Sequence, residues 1–140
     1  MRPLRLENRI APPSVPTVPP PAMAYLNHLR FTAMQCRAMP RTGLFEACAL
    51  LKTTQAETKQ AYATALMRCL NEALGQRARL HAPGVAELTF DELWLLQLGS
   101  ASATGDTLSL QFLLKSRVAH EHRRLVSFLI HQIVRCFPLD

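Results

Sequence analysis

The sequence predicts an all-α fold: a compact bundle of five or six short helices after a proline-rich N-terminal arm. Three observations carry the prediction. Apolar residues recur at spacings of three and four from Ala22 on, capping signals bracket those stripes, and few alternating strand patterns compete. Residues 1–21 hold seven of the ten prolines, among them Pro12, Pro13, Pro19, Pro20 and Pro21. Proline lacks an amide donor and fixes φ, so neither a helix nor an inner strand is expected there. Residues 1–21 therefore read as a disordered arm, and residues 22–140 as a single helical domain. Pro13-Ser-Val-Pro16 and Pro16-Thr-Val-Pro19 match the P-x-x-P spacing of SH3-type ligands, a spacing that proline-rich tails also produce by chance.

The first stripe is Tyr25, Leu26, Leu29, Ala33 and Cys36, closed by Pro40. A short helix should follow from about Thr42, with Leu44, Ala47, Cys48 and Leu51 inward. Thr54-Gln-Ala-Glu57 is a capping box, in which side chains at both ends satisfy first-turn amides. The helix it opens should run to about Leu74 on Tyr62, Ala65, Leu66, Cys69, Leu70 and Ala73, with Gly75 as its left-handed cap. Gln76 to Leu88 is a connector containing Pro83-Gly84. A second capping box, Thr89-Phe-Asp-Glu92, starts the helix of Leu93, Trp94 and Leu96. Gly105-Asp106 ends it and caps the next, whose stripe is Leu110, Leu113, Leu114 and Val118. The terminal helix should run from about Ala119 to Phe137 and stop at Pro138. Trp94, Phe112 and Phe128 are the expected core anchors.

At 140 residues the chain is long enough to bury a core without metal or disulfide staples. No run of about 18 apolar residues is present, so no membrane span is expected, and no apolar segment follows Arg5 to suggest a secretory signal. Cys36, Cys48, Cys69 and Cys136 form no C-x-x-C pair and read as reduced core thiols, which fits a cytoplasmic location. The net charge of +6 permits acidic protein, nucleic acid or anionic surfaces as partners.

Arg79-Leu-His-Ala-Pro-Gly84, Phe90-Asp-Glu92, Leu95-Leu96 and Gly105-Asp106 together resemble a pattern in small, uncharacterised, all-helical proteins of alphaproteobacteria. The resemblance spans residues 79–135 and implies the helical fold. Those proteins often carry cysteine just after the Pro-Gly, where this chain has Val85, Ala86 and Glu87, so no thiol or metal role carries over.

Chemistry is sparse. His120 and His122 lie two apart and point about 200° away from each other on a helix, so they cannot share an ion, and no metal or cofactor is expected. No nucleophile elbow and no Walker or dinucleotide-binding glycine motif is present. Asp91 and Glu92 read as first-turn acids complementing the helix dipole. His81, in the Pro-Gly connector, is the one histidine placed to line a cleft, and no catalytic partner can be named for it. A non-enzymatic chain is the expectation.

The feature that points outward is on the last helix. Arg117, His120, Arg124, Ser127, His131 and Arg135 follow at helical spacing and line up as one polar ridge, while Leu125, Leu129, Ile133 and Cys136, flanked by Val126, Ile130 and Phe137, form the apolar side. The predicted partner-binding residues are Arg117, His120, Arg124, His131 and Arg135. An acidic protein surface is the expected partner, with the chain acting as a regulatory or adaptor-type module. Nucleic acid on the same ridge is the alternative, and self-association is left open. Ala101 and Gly105 satisfy part of a helix-turn-helix pattern, but Asp106 and Gln111 stand where that pattern wants apolar residues.

Overall fold

Pro20 and Pro21 open the first helix. The first four amides of a helix have no intrahelical partner, so proline costs nothing there and its fixed φ is already helical. The computed structural model describes residues 18–38 and 55–139, and α1 spans Pro20–Ala38, with the Met23 amide donating to the Pro19 carbonyl at 2.9 Å. Pro20 and Pro21, expected in the arm, therefore belong to α1, because first-turn positions escape the penalty that holds in a helix interior; the rest of the expected arm up to residue 17 lies outside the described residues. The P-x-x-P matches, the short helix expected from Thr42 with Leu44, Ala47, Cys48 and Leu51, and the Thr54 cap lie outside the described residues.

α2 spans Gln55–Leu74 and leaves through Gly75 at φ +73°. A connector, residues 75–89, leads to α3 (Phe90–Thr104). The Thr89 capping box forms as expected: Thr89 Oγ1 accepts from the Glu92 amide, and Glu92 Oε1 accepts from the Thr89 amide, both at 3.0 Å. Gly105 adopts φ +74° and ends α3. Asp106 Oδ1 then accepts from the Ser109 amide at 3.1 Å and starts α4 (Thr107–Arg117), and the Ser109 hydroxyl together with that amide holds the Asp106 carboxyl below its usual range. Buried Val118 turns extended and breaks the path, and α5 spans His120–Val134. No strand occurs among the described residues.

The core lies where the five described helices meet. Tyr25 and Leu29 of α1, Leu66 and Leu70 of α2, Trp94, Leu95 and Leu98 of α3, Leu114 of α4, and Val126, Leu129, Ile130 and Ile133 of α5 are buried in one cluster. α5 packs on α2, α3 and α4, and α1 on α2 and α3. One close approach sets the α1–α3 distance: a Cβ on Gly99 would fall 2.9 Å from the Tyr25 ring, whose hydroxyl donates to the Leu95 carbonyl at 3.0 Å. Only glycine admits a ring that close.

Trp94 anchors the core as expected, and its Nε1 donates to the Leu113 carbonyl. Phe112 and Phe128 do not: they are 72% and 48% exposed. Phe112 falls on a helix face that no other described helix covers, while the Phe128 ring stands edge-on to Tyr62 of α2 at 5.9 Å and leaves its other side to solvent. On α5, Leu129 and Ile133 are buried as expected together with the flanking Val126 and Ile130, while Leu125 is 47% exposed and Val134 is buried in addition. Three described helices pack on α5 and shift the buried arc toward Ile130.

Candidate basic cleft between two helices

α4 and α5 diverge around the Val118 break and leave an open cleft of about 800 Å³. Gln111 and Lys115 of α4 form one wall, and His120, Arg123, Arg124, Ser127 and His131 of α5 form the other. Phe128 adds apolar surface over buried Leu114 at the base, and Glu121 is the one carboxylate among the lining residues. His120, Arg124 and His131 are exposed, so the ridge keeps its helical register over most of its length. From His120 to His131 it extends about 16 Å. His131 Nδ1 lies 3.4 Å from Ser102 Oγ of α3, which marks the end of the cleft.

The two ends of the expected ridge depart from it. Arg135 falls just past α5, bonds Gln132 at 3.2 Å, and lines a separate hollow with Ser102, Cys136 and Pro138. Arg117 lies on the other side of the helix break and turns inward. It pairs with Asp91 Oδ1 at 2.6 Å, and its guanidinium stacks 5.0 Å from the centroids of both Phe90 and Trp94. A single helix running through residue 118 would have aligned Arg117 with His120; the extended Val118 removes that alignment. Lys115 and Arg123 complete the cleft in their place, and Arg123 Nε is steadied by the Val118 carbonyl at 2.8 Å.

Asp91 and Glu92 do more than complement a dipole. Glu92 is wholly buried and faces buried Arg30 across 62 residues of sequence, with Arg30 Nε 2.7 Å from Oε2 and Nη2 3.0 Å from Oε1. Arg30 Nη1 also donates to Asn27 Oδ1 and the Val85 carbonyl, and Nη2 to the Glu87 carbonyl. The amides of His81 and Arg79 are held by Glu92 and Asp91, at 2.7 and 2.6 Å. This node fastens the connector to α1 and α3. Burial alone would raise the Glu92 carboxyl, but bonds from Arg30, Thr89 and His81 and the Arg30 charge outweigh it and hold the group below its ordinary value. Its polar atoms are used up internally, and so is the His81 amide, which makes this a structural clamp. The signal was present in the sequence: Arg30 sits on the α1 stripe between Leu26 and Ala33, where an unpaired charge would be expensive.

A second basic hollow, about 310 Å³, was not legible from spacing because its arginines come from three elements: Arg37 of α1, Arg68 of α2 and Arg77 of the connector. Its floor includes Cys36, Met67 and Leu80. Burial raises the Cys36 thiol, opposed by the nearby Arg68 charge. Cys36, Cys69 and Cys136 are free and half-buried, less deeply placed than the core thiols expected, while Cys48 lies outside the described residues. Among the described residues, no three His, Cys, Asp or Glu side chains gather in a way that could hold a metal ion, and no helix is long and apolar enough to cross a membrane.

No family model matches the chain, and neither the curated proteins nor the solved structures contain a match.

Proposed function

We propose that this chain is a non-enzymatic, adaptor-type interaction module whose α4–α5 cleft receives an acidic segment of a partner protein. One observation carries the reading. Lys115, His120, Arg123, Arg124 and His131 converge on a single open cleft from two helices, against Glu121 alone. Such a groove focuses its potential on a ligand laid along it, and half-exposed Phe128 gives an apolar foothold that a purely ionic surface lacks. The deep polar groups of the domain support the same reading, since Arg30 and Glu92 are engaged with each other and with backbone, and Asp91 is paired with Arg117.

Nucleic acid is the second reading, because Phe128 beside Arg124 is an aromatic platform in a basic groove. The fixed charge of the cleft is small for a phosphate backbone, which favours the peptide. Fluorescence anisotropy with a labelled glutamate-rich peptide, and with single- and double-stranded oligonucleotides, separates the two. The peptide should bind, and His120→Glu with Arg124→Glu should weaken it roughly tenfold or more. Absence of peptide binding overturns the proposal. Tighter, steeply salt-dependent binding of an oligonucleotide transfers the cleft to the second reading.

A further inference from the structure

α4 is turned the wrong way for a helix that serves only its own core. Of its residues only Leu114 is buried, while Leu108 and Phe112 are 84% and 72% exposed. They stand one turn apart on the crest of the helix and so form a continuous apolar strip. Alongside runs a shallow groove of about 600 Å³ between α3 and α4, lined by Gln97, Ser100, Thr104 and Ser109. From Leu93 to Leu114 the sole charged residue is Asp106. On a chain of net charge +6 this is a neutral, partly apolar face.

We infer that this face is where two copies of the chain meet, with their α4 helices packed antiparallel across a two-fold axis. The occupant follows from self-complementarity. Asp106 opens α4 and Lys115, in line with Leu108 two turns on, nears its end; the two are about 13.5 Å apart along the axis. A parallel pairing would set Asp106 against Asp106 and Lys115 against Lys115. An antiparallel pairing centred on Leu110 sets Leu108 of each copy against Phe112 of the other and brings each Asp106 within one residue of a Lys115. A two-fold interface demands that a surface match its own rotated image, and this one does in both shape class and charge. Two cationic chains repel through their basic surfaces, and here the charges cancel. His120 and Arg124 line the cleft from α5 and do not line the α3–α4 groove, while Lys115 stands at the border and belongs to both surfaces.

Sedimentation equilibrium across a concentration series tests this. The expected result is a concentration-dependent dimer of twice 15.7 kDa. Phe112→Glu or Leu108→Glu should raise its dissociation constant roughly tenfold or more, as loss of a central apolar anchor does. Asp106→Ser, which keeps an N-cap oxygen, and Lys115→Glu should each raise it about two- to fivefold. Both apolar positions are exposed, so an unchanged circular dichroism melt will show that the variants fold. The His120→Glu, Arg124→Glu variant should dimerise normally, which separates this face from the cleft. A monomer at every accessible concentration overturns the inference, as does a dimer indifferent to Leu108→Glu and Phe112→Glu. A dimer sensitive to those two but indifferent to Asp106→Ser and Lys115→Glu overturns the antiparallel pairing.

Discussion

Arg30 carries five N–H donors, and each has an acceptor: two on Glu92, one on Asn27, and the carbonyls of Val85 and Glu87. That completeness is what makes a buried ion pair tolerable, because an ion removed from water must recover its lost hydration as hydrogen bonds. Breaking the pair on one side leaves a buried charge without its counter-charge. Glu92→Gln should therefore destabilise the domain by about 3–5 kcal/mol, read as a shift of the urea midpoint. The same pair predicts a pH response. The folded-state pKa of Glu92 lies below its ordinary 4.5, so its contribution is fully present above that value and is lost as pH falls through the lower folded pKa. The wild type should lose stability below about pH 4.5, and Glu92→Gln should flatten that part of the profile. An unchanged acid limb in the variant would assign the acid sensitivity to other carboxylates.

At the scale of elements, what the sequence made legible was local. The Thr89–Glu92 capping box, the Gly105–Asp106 junction and the core position of Trp94 depend on residues within a few positions of one another, and all three appear in the structure. What was hidden depends on which helix covers which. Phe112 and Phe128 are the residue type of a core, and nothing local in the chain marks that one is left mostly bare and the other half exposed beside Tyr62. Arg117 was hidden for a related reason: its direction is decided by one extended residue, Val118, and by an acid 26 positions earlier, Asp91. The cleft was half legible, since α5 supplied its ridge by periodicity while Lys115 came from another helix. The α3–α4 junction offers a clean test of a local determinant. Nothing lies within 4 Å of a Cβ built on Gly105, so any cost of a side chain there is conformational. Gly105→Val should cost about 1–2 kcal/mol, because a β-branched residue resists φ near +74°. Gly105→Asn, which tolerates the left-handed region, should recover much of that loss in the same thermal melt.

For the whole molecule, the question is whether α5 merely lies on a finished bundle or completes it. Its faces answer in favour of completion. Val126, Leu129, Ile130, Ile133 and Val134 are buried in the same cluster as Leu66, Leu98 and Leu114, and α5 touches three of the other four described helices. Without it, the sides of α2, α3 and α4 that face inward would meet water, and a domain whose stability is a small difference between large terms has no margin for that exposure. α5 is also the helix that carries most of the proposed binding wall, so the surface that meets a partner is the back of the element that closes the core. A chain ending at Arg117 should then lose its cooperative thermal transition, seen as loss of the near-ultraviolet signal of Trp94 while some helical far-ultraviolet signal remains. Ile130→Ala in the full chain should by contrast keep one coincident transition and lower stability by about 2–5 kcal/mol. If the shortened chain instead melts cooperatively with the Trp94 signal intact, α1 to α4 form a unit of their own. The basic helix would then be an appended arm, and its register against α4, on which the cleft depends, would no longer be fixed by the core.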